Sequence, residues 1–468
     1  MTRGDDRSKR RRAPAAGARE LALDTLLRVE REGAYSNLEL GRALQQAGLS
    51  RPDAALATEL VYGTLQRQAT LDYWLGRFVA KGLDRLEPWV RLLLRLSLYQ
   101  LVYLDRVPDF AVVNEAVALA RRRGHAGIAG MVNGVLRSAL RRRGELVAPK
   151  GGAPAQRLAI AHSYPEWLVR RWIDTYGAEE AEAICAAGNR PPPSSIRVNL
   201  RRGTVEAVQR GLRESGIEAA PAGASPAGLI ARGAGNLADR DGYREGRWSI
   251  QDIGSMLVAE AAEPQPDMEV LDCCAAPGGK STHLAELMDD RGTVWANDLH
   301  PHKQRLIEQQ AQRLGLTSVR AVCGDAAALG ERFAPGSLDL VLLDAPCSGL
   351  GVIHRKPEVK WTKSPADVAE LAKLQERLLD AAAPLVRVGG RLVYSTCTIA
   401  PEENERQVEA FLARHPDYAL DPQWPEPLLA ALRRAQALPE RFAGMLQLLP
   451  QTFGSDGFFI ARLTRKSR

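Results

Sequence analysis

Two hydrophobic rhythms divide the chain. Up to about Arg143 apolar residues recur every three or four positions, the spacing of a helix that buries one stripe. One such face is Ala18, Leu21, Leu23, Leu26 and Leu27; others run over 54–75, 89–104 and 112–120, with Gly124, Gly127 and Gly134 expected to punctuate the end. The segment Lys150-Gly151-Gly152-Ala153-Pro154 reads as a linker. Residues 156–245 mix helical stretches (165–176, 179–187, 205–215) with short strands (195–199, 228–232), Pro191-Pro192-Pro193 lying between them. From Met268 onward the rhythm changes. Short apolar runs at 268–271, 293–297, 319–323, 338–343 and 391–395 alternate with helical patterns, and a last run at 458–463 predicts an antiparallel strand at or near the sheet edge. Strand-helix alternation predicts a doubly wound α/β sheet.

The fold class expected is therefore α/β, preceded by an all-α domain and a small α+β domain. The expected boundaries are a basic tail over 1–13, the all-α domain over 14–146, the small domain over 156–245 and the α/β domain over 246–468. No apolar run reaches the roughly 18 residues of a membrane span. The basic start, Arg3 to Arg12, lacks the apolar core of a secretory signal. Six cysteines without C-x-x-C spacing read as thiols in a reducing cytoplasm, and seven scattered histidines make no metal constellation.

Charge sharpens the picture. Residues 1–150 hold about 26 Lys+Arg against about 16 Asp+Glu, roughly +10, while the remainder is slightly acidic. Arg121-Arg122-Arg123, Arg137 and Arg141-Arg142-Arg143 contribute to that excess, and a polyanion held by the first third is the expectation.

The candidate chemistry begins at Val270-Leu271-Asp272-Cys273-Cys274-Ala275-Ala276-Pro277-Gly278-Gly279-Lys280-Ser281-Thr282, a strand, a glycine turn and a helix start. Gly279-Lys280-Ser281 is only half of a P-loop, and no G-x-G-x-x-G is present. Asp298 nevertheless closes the next strand, nineteen residues after Gly279, where such sheets place a ribose-binding acid. A ribose acid without a phosphate cradle points to a nucleoside ligand, of which S-adenosylmethionine is the commonest. Further candidates fall just past predicted strands: Asp325, Asp344, Cys347 in Asp344-Ala345-Pro346-Cys347-Ser348-Gly349, and Cys397 in Ser395-Thr396-Cys397-Thr398. Two cysteines and a carboxylate suit attack on an electron-poor ring, because a thiolate adding to C6 of cytosine makes C5 nucleophilic. Pro401-Glu402-Glu403 is expected to open a helix whose positive end would lower the Cys397 pKa; two units would be about 2.7 kcal/mol. Cys273 and Cys323 are expected in the core, and Lys280 is expected on the donor's carboxylate or the substrate base.

Two resemblances join these readings. Val113-Asn114-Glu115-Ala116-Val117 and Met131-Val132-Asn133-Gly134-Val135-Leu136-Arg137 resemble the NusB-type RNA-binding helical domain. Ile196-Arg197-Val198-Asn199, the donor loop and the Pro-Cys and Thr-Cys motifs resemble the NOP2/Sun family of RNA cytosine-5 methyltransferases, in its bacterial branch acting on small-subunit ribosomal RNA. The resemblance implies Cys397 as nucleophile, Cys347 in product release, and Asp344 as the acid or hydrogen-bond donor at N3 beside Lys280. It implies a donor site over Cys274, Ala275, Ala276, Pro277, Gly278, Gly279, Lys280, Asp298, Asp325 and Asp344. The expected cofactor is S-adenosylmethionine without a metal. The expected partner is 16S ribosomal RNA rather than DNA or a membrane, met by a cytoplasmic monomer. His354-Arg355-Lys356-Pro357-Glu358 departs from that family's Arg-Arg-His-Pro-Asp run. Two alternatives remain: a DNA-type enzyme using Cys347 as nucleophile, or an inactive RNA-binding assembly factor.

Overall fold

A computed structural model of the protein describes residues 17–233, 235–452 and 454–467. The expected basic tail therefore lies outside the described residues. Contacts divide the chain into two units, one of residues up to 189 together with 356–362, the other of 190–355 and 363–468.

The first unit is helical. Its central helix, Pro88–Tyr103, is apolar on nearly every side, with Leu92, Leu93, Leu94, Leu96, Leu98 and Leu101 all buried, and neighbouring helices surround it. Arg95 is buried in the same helix because Asp72 takes it bidentately, at 2.7 Å for both contacts. The apolar stretch 54–75 is two helices, Arg51–Gln66 and Gln68–Leu75, that meet at Arg67. Gly127 and Gly134 do not end a helix. They lie inside Ala126–Arg141, where packing of Val132, Val135 and Leu136 overrides glycine's weak propensity. Helices Pro154–His162, Glu166–Tyr176 and Ala178–Ala187 group with this unit.

So does the short segment Lys356–Thr362. Glu358 accepts from the Ser36 amide at 3.1 Å and the Ser36 hydroxyl at 2.7 Å, at the first turn of the helix Ser36–Ala47. Lys360 is fully buried and donates to Gln66 O (3.2 Å), Ser163 O (3.1 Å) and Asn189 Oδ1 (2.8 Å) over the Tyr164 ring. Burial, then the charge of Arg67, holds its ammonium well below the usual lysine range. Trp361 Nε1 reaches Leu65 O at 2.9 Å.

The second unit carries two sheets. β1 (Ser194–Val198), β2 (Glu218–Pro221), β3 (Gly228–Arg232) and β4 (Trp248–Ile250) form a four-stranded sheet in the order β2-β3-β1-β4. The large sheet contains β5 (Glu269–Asp272), β6 (Thr293–Asp298), β7 (Val319–Cys323), β8 (Leu338–Asp344), β9 (Val386–Thr396), β10 (Tyr418–Leu420), β11 (Met445–Leu448) and β12 (Phe458–Arg465). Its order is β10-β12-β9-β8-β5-β6-β7, with β11 beside β12. Strands β5 to β9 are parallel, and β12 is antiparallel, set near the sheet edge between β9 and the edge strand β10. The chain runs outward from β5 to β7, then returns to the other side of β5 as β8. That reversal opens a crevice at the carboxyl ends of β5 and β8.

Candidate active site

Register places the site. Asp272 pairs with Leu342 and Ala296, and Asp344 with Ser395, so the turns after β5, β6, β8 and β9 share one edge of the sheet.

On one side is the glycine turn. Gly278 has φ +105°, and a Cβ there would stand 3.2 Å from Ile307 Cα, so only glycine passes between the loop and the next helix. Asn297 Nδ2 ties this loop to its neighbour through Cys273 O (2.9 Å) and Gly324 O (3.0 Å), while Ala275 N donates to Asn297 O at 2.7 Å. Asp298 is buried at the end of β6, its carboxylate accepting from Ala276 N (3.4 Å) and His300 N (3.2 Å) with Lys303 at 3.4 Å. Leu299 beside it is 57% exposed, an apolar surface next to a carboxylate. Asp325 sits exposed after β7 and accepts from Ala327 N at 2.9 Å. From the small sheet comes fully buried Arg197, which donates to Gly279 O (2.9 Å), Gln251 and both Glu286 oxygens (3.0 and 2.9 Å). Periodicity marks Arg197 only as a residue of a strand; its grip on the glycine turn depends on partners some 80 residues away.

On the other side are the thiols. Cys347 Sγ and Cys397 Sγ lie 3.4 Å apart. Lys280 Nζ donates to Asp344 Oδ2 at 2.7 Å, and Ser395 Oγ to Asp344 Oδ1 at 2.8 Å. Burial disfavours the Lys280 charge, but Asp344 outweighs it and raises the ammonium pKa. The Cys347 thiol is pushed well up by its contact with Cys397 and by burial. The expected helix at Pro401 is only a 3₁₀ turn, Pro401–Glu403; the α-helix starts at Glu405. The residue that precedes that helix, Asn404, bonds to Thr396 and Thr398 on either side of Cys397.

Most of the expected site residues thus converge: Cys274 to Lys280, Asp298, Asp344, Cys347 and Cys397. Cys273 is buried as expected, whereas Cys323 is half-exposed with its Sγ 3.5 Å from Leu299 O, at the sheet edge rather than in the core. Arg355 of the divergent run donates to Asp252 (2.9 Å) and Asp456 (2.7 Å), with His354 on Asp456 at 2.7 Å. The residues suit a nucleoside donor: Asp272 Oδ1 and Asn297 Oδ1 are buried at the turn without a partner among the described residues. Among those residues no group of His, Cys, Asp and Glu could hold a metal ion, and no helix is long and apolar enough to cross a membrane.

Three family models match: the NusB family over 16–141, a ferredoxin-like domain of RsmF/B-like methyltransferases over 164–238, and the 16S rRNA methyltransferase RsmB/F over 259–464. A probable ribosomal RNA small subunit methyltransferase B from Bacillus subtilis is 46% identical over 96% of this chain and 98% of its own. The solved structure of PH0851 aligns over 98% of this chain and 100% of its own, at 28% identity and a TM-score of 0.81. A methyltransferase homologue from Pyrococcus horikoshii aligns over 68% of this chain and 100% of its own, at 29% identity and a TM-score of 0.58. On these matches the chain belongs to the RsmB/F family of 16S rRNA methyltransferases.

Proposed function

We propose that this protein transfers a methyl group from S-adenosylmethionine to C5 of one cytosine in 16S ribosomal RNA, through a covalent bond between Cys397 and C6. The observation that carries the reading is the pair of thiols 3.4 Å apart beside the Lys280–Asp344 pair.

Asp298 would take the donor's ribose hydroxyls, Leu299 and the exposed Asp325 would border its base, and the turn Cys274–Gly279 would line its remaining length. The Cys397 thiolate adds to C6, and the electron pair of the C5–C6 double bond is drawn toward N3, where Asp344, relayed a proton by its Lys280 partner, supplies a hydrogen bond or proton that returns to the pair as the ring's double bonds are restored. C5 then attacks the donor's methyl carbon, and the sulfur–methyl bond breaks. A base removes the C5 proton, C5–C6 is restored, and the Cys397–C6 bond breaks with Cys347 delivering a proton to the departing sulfur. The basic helical unit would hold the RNA, and the protein would act as a cytoplasmic monomer.

The test is a denaturing gel of two variants with substrate RNA and donor. Cys397→Ala should give neither methylation nor adduct; Cys347→Ala should accumulate a covalent protein–RNA complex. An adduct in the first and none in the second would favour the DNA-type assignment.

A further inference from the structure

The two thiol loops are held by two consecutive residues that no strand pattern singles out, Glu403 and Asn404. Both are fully buried. Glu403 works on the Cys347 side. Its Oε1 accepts from Ser348 N, the residue after Cys347, at 2.8 Å, and from Gln375 Nε2 at 3.0 Å; that same amide donates to Pro346 O, the residue before Cys347, at 2.9 Å. Its Oε2 accepts from the Ser348 hydroxyl. Asn404 works on the Cys397 side. Its Oδ1 accepts from Thr396 Oγ1 at 2.6 Å and its Nδ2 donates to Thr398 O at 3.0 Å, the residues on either side of Cys397. The two clasps meet where Ser348 Oγ and Thr398 Oγ1 lie 2.8 Å apart.

A carboxylate buried on neutral donors is expensive, and burial does push the Glu403 carboxyl up against the hydrogen bonds that lower it. An apolar side chain would fill the same volume at less cost. What it could not do is fix, by directed bonds, the backbone on both sides of a cysteine. We propose that Glu403 and Asn404 are positioning residues that index the two thiols separately: Glu403, through Ser348 and Gln375, sets Cys347 for elimination, and Asn404, through Thr396 and Thr398, sets Cys397 for addition. The inference rests on the roles proposed above for the two cysteines.

The test uses the full-length protein and nearly isosteric variants, Glu403→Gln and Asn404→Asp, beside Cys347→Ala. Each variant should lower kcat roughly tenfold or more while the KM for RNA and donor stays within about twofold, because alignment and not binding is disturbed. Glu403→Gln should accumulate the covalent protein–RNA complex as Cys347→Ala does; Asn404→Asp should form less of it than the parent. A second reading needs no RNA. Diamide, a diazene that takes two electrons and two protons from a pair of thiols, should join Cys347 and Cys397 roughly tenfold more slowly in both variants than in the parent. If Glu403→Gln is unstable, Ser348→Ala deletes only the hydroxyl at the junction of the clasps and should slow the same joining.

Parent-like turnover, adduct and oxidation in both isosteric variants would overturn the indexing. So would a change confined to KM and thermal midpoint, which marks a merely structural role. Failure of Cys347→Ala itself to trap an adduct would instead overturn the assignment of the cysteines, and the oxidation rates would still decide the indexing.

Discussion

Four of the cysteines at the carboxyl edge of the large sheet follow β5, β8 and β9, and the two ends of the crevice surround them differently. After β5, Cys273 and Cys274 sit among carboxylates, with Asp272 and Asp344 adding to burial in raising the Cys274 thiol pKa beyond any physiological range. After β8 and β9, Cys347 and Cys397 face each other, with the Lys280 ammonium close enough for Cys397 to raise its pKa. The difference is neither burial nor distance from a strand end. It lies in the partners: carboxylates crowd the β5 pair, whereas Cys347 and Cys397 have each other within 3.4 Å and Lys280 acts beside Cys397. A thiol becomes chemically useful only where the neighbouring charge stabilises its anion.

Removing the cation should have the largest effect on that contrast. Lys280→Met keeps most of the side chain's volume yet leaves Asp344 without its 2.7 Å partner, so single-turnover methyl transfer should fall roughly 10²–10³-fold. A rate within a few fold of the parent would make the thiol end electrostatically no different from the β5 end. On the donor side, Asp298→Ala should weaken S-adenosylmethionine binding by about 1.5–3 kcal/mol, through loss of a charge-assisted hydrogen bond. Calorimetry showing unchanged affinity would move the donor away from β6. A third prediction concerns Asp272, whose carboxyl is pushed up to about 7, chiefly by burial. Between the unfolded value near 4 and about 7 the folded state holds a proton that the unfolded state has released, so stability should fall as pH rises through that window and level off above it. Asp272→Asn should flatten the slope of thermal midpoint against pH; an identical slope would show that Asp272 is ionised in the fold. The smallest effect belongs to the thiols that take no part. Cys274→Ala should leave methyl transfer within about threefold of the parent, since its sulfur holds its proton throughout. A tenfold loss would bring it into the chemistry and dissolve the comparison.

The carboxyl-edge residues were legible because a strand fixes where its last residue points and where its turn begins. Runs of apolar residues at 293–297 and 338–343 therefore locate Asp298 and Asp344 without further information. The helical unit was legible for the same reason, except where packing overrode propensity, as at Gly134. What holds the site together was not legible. Asn297, Arg197, Glu403 and Asn404 act by hydrogen bonds to main-chain atoms or to residues up to 89 positions away, and no periodicity encodes those. The Pro401 turn misled for a related reason. Proline at a first helical position is a local signal, but the carboxylate two residues later is drawn to Ser348, and the regular helix is postponed to Glu405.

The helical unit is not a continuous stretch of its own gene. Seven residues from far downstream, 356–362, supply the carboxylate at Ser36 and the buried Lys360 nitrogen that donates to the carbonyls of Gln66 and Ser163. A message truncated after Asn189 would translate an object with those groups unmet, however faithfully it copied every helix. An exchange of helical units between relatives would likewise have to carry two separated sets of codons, the shorter one embedded in the α/β half. The boundary along which this protein could be recombined is thus not the linker expected at Gly151-Gly152; what packs as one unit is encoded in two stretches.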